Sequence, residues 1–258
     1  STAPPSVAIP KAGKKGLSNG VKTGIALLLG VLAVILAVVF LKKSRQAATD
    51  KLYHEMMQQA TVEGATEVPV DERKLGILLS SAAHVGANEN RDGIYMALYL
   101  AKSTDGTDVD ARIAEFVTTR EIIPNVRIVL IRDVLRKRNN PAIIGTLLDY
   151  ARSTDDVAAA EAAIQATRFM ADDSHFPEFL EIIRTTKESR LLKEAEENAA
   201  RIIGKSSDKT ALGSTLFSAY DSTTNDEVRH AMLRLIGRVG GDKALELVRK
   251  NLSSEAMK

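Results

Sequence analysis

Three stretches of the sequence repeat one pattern at a spacing of 33 residues: Glu161–Ala171 (EAAIQATRFMA), Glu194–Gly204 (EAEENAARIIG) and Glu227–Gly237 (EVRHAMLRLIG). Each begins with Glu, has Arg seven positions later, continues with two apolar residues and ends with Ala or Gly. A fixed period of about 20 to 50 residues is typical of proteins whose units cannot bury their apolar faces alone and therefore stack on one another. The pattern predicts an α-solenoid of helix pairs.

Helical geometry separates these positions into two edges. At about 100° per residue, Ala162, Ala166 and Phe169 fall within about 60° of one another, which predicts a buried stripe. Glu161 and Arg168 lie about 20° apart on another edge. Small residues in the stripe would let neighbouring helices approach closely.

A fourth, weaker copy begins at Asn125, lacks the opening Glu and has Asp133 at an apolar position. The Arg position then has four members: Arg132, Arg168, Arg201 and Arg234. Stacked repeats would bring these side chains into a row that could bind an acidic segment of a protein partner through paired hydrogen bonds. The alternative is an internal ladder, in which each Arg pairs with the Glu that opens another repeat. Because each Arg of the three clear copies has a Glu on the same edge of its own helix, the sequence favours the ladder.

From Asp71 onward, helical periodicity alternates with short polar turns, and no strand is predicted. The predicted helices are 71–85, 91–103, 108–120, 125–137, 141–152, 156–171, 176–186, 189–203, 209–219, 225–238 and 242–251. Pro124, Pro141 and Pro177 fall in or just before first turns, where a missing N–H is harmless. The predicted fold class is all-α.

The stretch Asn225–Gly240 (NDEVRHAMLRLIGRVG), continued by Lys243–Leu245, resembles a HEAT-like repeat of the type found in phycobilisome lyases. Asn125–Arg127 looks like the same opening in weaker form. The resemblance implies helix pairs that bind proteins, and no particular reaction. Tetratricopeptide-like stacking is the nearest alternative, but its signature Trp, Tyr and Pro residues do not occur in register.

Thr23–Leu41 (TGIALLLGVLAVILAVVFL) contains no charged residue. At about 1.5 Å per residue this segment is about 28 Å long, close to the thickness of a bilayer core. A cleaved signal peptide has a shorter apolar region followed by small residues, whereas Lys42, Lys43 and Arg45 follow here. A buried core helix would show a polar stripe, which is missing. The segment predicts a single-pass transmembrane helix.

Basic residues flank this segment equally, so the positive-inside rule does not decide its orientation. They are Lys11, Lys14, Lys15 and Lys22 before it, and Lys42, Lys43, Arg45 and Lys51 after it. A short tail with four Lys is costly to translocate, whereas large domains cross largely regardless of charge. We therefore expect the tail inside and the body outside a bacterial inner membrane.

Composition shifts along the chain predict its organisation. The predicted segments are a basic flexible tail at 1–22, a transmembrane helix at 23–41, a helical stalk at 42–60, a linker at 61–70 and a HEAT-like α-solenoid at 71–258, clearest over 125–251. The chain has a net charge of +2, but residues 1–22 hold four basic side chains and no acid, so residues 42–258 carry −2. That balance argues against a nucleic-acid partner.

Sequence motifs for catalysis are missing. The chain has no Cys, its four His lie far apart, and no phosphate-loop or Gly-x-Ser-x-Gly motif occurs. Asp155–Asp156 and Asp172–Asp173 stand at predicted helix starts, where Asp usually caps a helix. We expect no enzyme activity, no cofactor, no metal and no small-molecule substrate.

These patterns favour a membrane-tethered scaffold or adaptor for a protein partner. The alternative is an accessory structural subunit buried in a larger membrane complex.

Overall fold

The computed structural model describes residues 19–84 and 91–255, with side chains for 38–84 and 91–251. Its contacts divide the chain into two units, Ser1–Lys51 and Leu52–Lys258. The helices are α1 (Asn19–Thr61), α2 (Glu72–Ala83), α3 (Arg91–Leu100), α4 (Val109–Thr119), α5 (Pro124–Val129), a π-helical turn (Leu130–Leu135), α6 (Arg136–Arg138), α7 (Ile144–Ser153), α8 (Val157–Thr167), α9 (Phe176–Thr185), α10 (Ser189–Lys205), α11 (Lys209–Asp221), α12 (Asp226–Val239) and α13 (Asp242–Glu255). Short 3₁₀ turns, Pro141–Ile143 and Asp173–His175, precede α7 and α9.

Helix α1 contains the predicted transmembrane segment and the predicted stalk. Residues 1–18 of the predicted tail lie outside the described residues, residues 19–22 belong to α1, and the side chains of residues 19–37 are not described. Within the part of the chain that is described, no helix is long and apolar enough to cross a membrane. In the second unit, Met56, Met57 and Ala60 of the last turns of α1 are buried.

The all-α fold class is confirmed, but the expectation of no strand is wrong. Two three-residue strands, β1 (Val68–Val70) and β2 (Ala101–Ser103), pair in parallel, with Val68 opposite Ala101. Val68 and Val70 are fully buried while Pro69 faces outward, the alternation expected of a strand. Alternation over three residues is too short to predict, and β2 follows directly on α3.

Aspartates begin several helices, as predicted. The Asp156 carboxylate accepts from the backbone N–H of Ala159 at the start of α8. Asp172 accepts from Ser174, and the His175 ring faces the N–H of Asp172 to complete a capping box. Each carboxylate satisfies a backbone donor that has no partner within the helix.

The helices that carry the repeat copies are neighbours in space. The π-helical turn contacts α8, α8 contacts α10, and α10 contacts α12. Each also packs against the helix before it in the chain, α7 against α8, α9 against α10 and α11 against α12. The second unit has one apolar core, which runs through all of these helices.

Burial follows the same register in the repeat copies that begin at Glu194 and Glu227. In the weaker copy that begins at Asn125, which is the first along the chain and is called the first copy below, the buried positions are shifted by one residue. Within the repeat copy on α10 the buried residues are Ala195, Asn198, Ala199, Ile202 and Ile203. The equivalent residues of α12 are Val228, Ala231, Met232, Leu235 and Ile236. In the first copy they are Val126, Leu130, Ile131, Val134 and Leu135. The π-helical turn absorbs one extra residue after Val126, which keeps Asp133 out of the core.

Candidate functional site

Arg168, Arg201 and Arg234 occupy equivalent positions at the ends of α8, α10 and α12, which lie side by side. Arg132 does not share that position. Because the π-helical turn adds one residue, the equivalent position in the first copy holds Asp133, and Arg132 pairs with it at 3.2 Å. The structure therefore brings three of the four predicted Arg onto corresponding sites.

Arg168 joins α8 to α10. Its Nη2 donates to Glu194 at 2.6 Å and to Glu197 at 2.7 Å. Glu194 also accepts from Gln165 at 3.0 Å, and its side chain is only 13% exposed. This is the pairing expected of an internal ladder, since Glu194 opens the next repeat.

Arg234 makes a bidentate pair of a different kind. Its Nε and Nη2 donate to the two oxygens of Glu196, each at 2.7 Å. The hydrogen bonds from Glu196 are the main cause that raises the pKa of Arg234 above its ordinary value. The acceptor is again on α10, two residues from the position that the ladder predicts.

Arg201 has no carboxylate partner among the residues that the structure describes. Its guanidinium lies 4.3 Å from the centroid of the Phe169 ring, and its buried Nε has no hydrogen-bond acceptor. The guanidinium of Arg136 lies 5.7 Å from the same centroid. Arg136, Phe169 and Arg201 form what we call the aromatic–arginine cluster, in which the ring attracts both cations through its face.

Phe169 was predicted to be buried, and that prediction is wrong because the residue is 51% exposed. The regular helix α8 ends at Thr167, and the backbone N–H of Arg168 bonds to Gln165, three residues back. This tighter turn rotates Phe169 out of the stripe, while Met170 stays buried. Ile202 and Leu235 occupy the equivalent position in α10 and α12, where the helix continues, and both are buried. The repeat pattern alone therefore predicted burial of Phe169.

The three basic residues that make up α6, Arg136, Lys137 and Arg138, have two different environments. Arg136 and Lys137 are exposed, whereas the Arg138 side chain is only 14% exposed and pairs with Asp110. Arg138 Nη1 also donates to the backbone oxygens of Tyr99 and Ala101, each at 2.8 Å. Cations at the C-terminal end of a helix are usually solvated, which describes Arg136 and Lys137 but not Arg138.

Of the predicted membrane-flanking residues, Lys42, Lys43 and Arg45 are exposed on α1, and the Lys22 side chain lies outside the described residues. Among the described side chains, no three His, Asp or Glu residues come together in a way that could hold a metal ion.

Comparisons with protein-family models, with curated proteins and with solved structures find no match to this chain. The HEAT-like character of the repeat thus remains a prediction from the residues quoted above.

Proposed function

We infer that this protein is a membrane-tethered scaffold that binds a protein partner on the surface of a HEAT-like solenoid. The order of helix contacts supports the solenoid. The pairs α7–α8, α9–α10 and α11–α12 follow one another, and the second helix of each pair contacts the second helix of the next. A series of pairs of this kind creates an extended surface suited to protein contact.

The tether rests on the sequence. Thr23–Leu41 contains no charge and is followed by Lys42, Lys43 and Arg45, the pattern of a segment that crosses a bilayer and ends at a charged interface. An anchor of this kind would hold the body at the membrane and raise its effective concentration near a membrane partner.

The aromatic–arginine cluster is the observation that carries the binding proposal. A half-exposed Phe169 beside two cations without described acidic partners offers a partner both apolar area and charged hydrogen-bond donors. Aromatic and Arg side chains are enriched among the residues that dominate binding energy. In the ladder, by contrast, Arg168 and Arg234 already have acids within the chain.

Site-specific crosslinking tests the proposal. A photo-crosslinking phenylalanine analogue replaces Phe169 in the full chain in its native membrane, and crosslinked products are identified after illumination. The matched control carries the same analogue at Ile123, which is 49% exposed at the start of α5, about 20 Å along the helix from Arg136. A defined partner at Phe169 and none at Ile123 is the expected result. Equal labelling at both sites, or none at Phe169, contradicts the proposal.

Size analysis after solubilisation in mild detergent separates the scaffold from the accessory subunit. A scaffold releases its partner on dilution, whereas an accessory subunit stays in a stoichiometric complex. Protease treatment of spheroplasts, in which the outer face of the inner membrane is accessible, tests the sidedness, and cleavage of the body is expected.

A further inference from the structure

A groove of about 620 Å³ lies where α3 meets the π-helical turn. Its apolar part consists of Tyr95, Met96, Tyr99 and Val129, of which Met96 and Tyr99 are 45% and 37% exposed. Exposed large apolar side chains around a concavity of this size are typical of a site that accepts an apolar side chain of a binding partner. We call this site the α3 groove.

The rim of the α3 groove is basic where it approaches the cluster. Lys137 lines the groove and has no ion-pair partner among the described residues, and it directly follows Arg136 of the aromatic–arginine cluster. Two carboxylates, Asp92 and Asp133, also line the groove, but each pairs with a neighbouring arginine of the lining, Arg91 at 3.5 Å and Arg132 at 3.2 Å. The groove and the cluster are therefore adjacent sites along one continuous helix.

The π-helical turn shapes this region. A regular α-helix from Asn125 would place Asp133 in the core, so the extra residue moves the Arg132–Asp133 pair outward to the groove. Single π-helical turns are energetically poorer than α-helix and occur frequently at functional sites. The turn is thus a second, independent feature that points to the groove.

We propose that the α3 groove and the aromatic–arginine cluster form one docking surface for an acidic segment of a protein partner that carries an apolar anchor residue. This deepens the proposed function, on which it rests. The anchor occupies the groove against Met96 and Tyr99, and carboxylates of the same segment meet Lys137, Arg136 and Arg201. Guanidinium groups bind carboxylates with paired, charge-assisted hydrogen bonds, which gives the surface its preference for acids.

Charge complementarity selects this occupant. The three cations lack described acidic partners, while residues 42–258 as a whole carry a net charge of −2. A long polyanion such as nucleic acid needs an extended basic surface, which a body with nearly balanced charge does not supply, whereas a short acidic segment needs only the local cations.

Peptide display against the full chain in detergent micelles tests the proposal. The library contains random short peptides, and the selected sequences are expected to combine at least two Asp or Glu with a Leu, Met or Phe. The double variant Arg136→Glu with Arg201→Glu should weaken binding of a selected, fluorescein-labelled peptide by about tenfold or more, and Met96→Ser should weaken it independently. The single variant Arg201→Glu should also weaken binding, and Arg190→Glu, the same single charge reversal at the opposite end of α10, is its matched control and should leave binding unchanged. Thermal midpoints of all variants establish that they are folded.

Several outcomes overturn the proposal: no selected peptide, a selected set without acidic residues, or affinity that the double variant leaves unchanged. Equal binding of a single-stranded DNA of the same charge also overturns it, because the surface would then be a general polyanion site. A partner that crosslinks at Phe169 but binds the double variant normally leaves the scaffold function standing and refutes only the acidic chemistry. Failure of the crosslinking itself refutes the scaffold function.

Discussion

Arg168 at the end of α8 donates a 2.6 Å hydrogen bond to Glu194, whose side chain is largely buried against the neighbouring helix α10. Removing the cation leaves a buried carboxylate with only the amide of Gln165 as a described donor. We expect Arg168→Ala to lower the free energy of unfolding by about 2 kcal/mol. Urea denaturation measures this loss.

Arg201→Ala is the matched control for that change. It removes a guanidinium that stacks on Phe169 but pairs with no described acid, so we expect a loss of about 1 kcal/mol or less. Equal losses at the two positions would contradict the distinction between a structural Arg168 and a binding Arg201.

Arg138 links α6 to α4, to the end of α3 and to β2. Its guanidinium pairs with Asp110 of α4 and caps backbone oxygens of Tyr99 and Ala101, and both side chains of the pair are 14% exposed. Because Arg138→Met leaves Asp110 charged and mostly buried, we expect a loss of about 3 kcal/mol or more. Arg136→Met, two residues earlier and exposed, should change stability little, as chemical denaturation of both variants will show.

Asp105 makes the fold sensitive to acid. Its carboxylate accepts from the backbone N–H groups of Glu72 and Thr107 and from the hydroxyls of Thr107 and Ser103. These hydrogen bonds, that of the Thr107 hydroxyl first, lower the pKa of Asp105 well below its ordinary value. A depressed carboxyl pKa stabilises the folded state above the unfolded-state pKa of about 3.9, and the stabilisation declines as the pH falls below that value.

Asp105→Asn tests this dependence. The variant should be less stable than the parent at pH 7, and the difference should shrink as denaturation midpoints are measured from pH 5 downward. A constant difference over that range would show that the charge of Asp105 makes no contribution.

Gly213 allows α11 to approach α12 closely. A Cβ at Gly213 would lie 2.9 Å from Cγ1 of Val239, whose branched side chain has little freedom to move. We expect Gly213→Ala to cost about 1 to 3 kcal/mol despite its better helix propensity. Gly76, also the fifth residue of its helix, has nothing within 4 Å, so Gly76→Ala should instead stabilise by up to about 1 kcal/mol. Thermal unfolding of both variants tests whether the first substitution lowers the midpoint and the second raises it.

The sequence predicts most of the helices and the Asp caps because both depend on residues close together in the chain. Apolar periodicity and a carboxylate before a helix are local signals. The 33-residue period also identified the helices that lie side by side, and the pairing of Arg168 with Glu194 follows from it.

What the sequence missed depends on a single residue of register or on the end of a helix. Phe169 is exposed because α8 ends at Thr167, and Arg132 leaves the Arg position because of the π-helical turn. The short β1–β2 pair joins segments more than 30 residues apart, so no local signal predicts it. Asp133 at an apolar position was the one visible sign that the first copy contains an extra residue.

Deletion of Arg132 tests that register directly. With this residue removed, Val126, Val129, Leu130, Val134 and Leu135 fall at the five buried positions of α10 and α12, so a regular α-helix has an entirely apolar stripe. We therefore expect the deletion to fold, with helical circular dichroism retained, and to replace the π-helical turn by α-helix while closing the α3 groove. Deletion of Arg168 is the matched control: it shortens a copy that has no extra residue, shifts Met170 out of its buried position and should unfold the repeat. If the two deletions lower the thermal midpoint equally, the π-helical turn is not a removable insertion in a regular repeat.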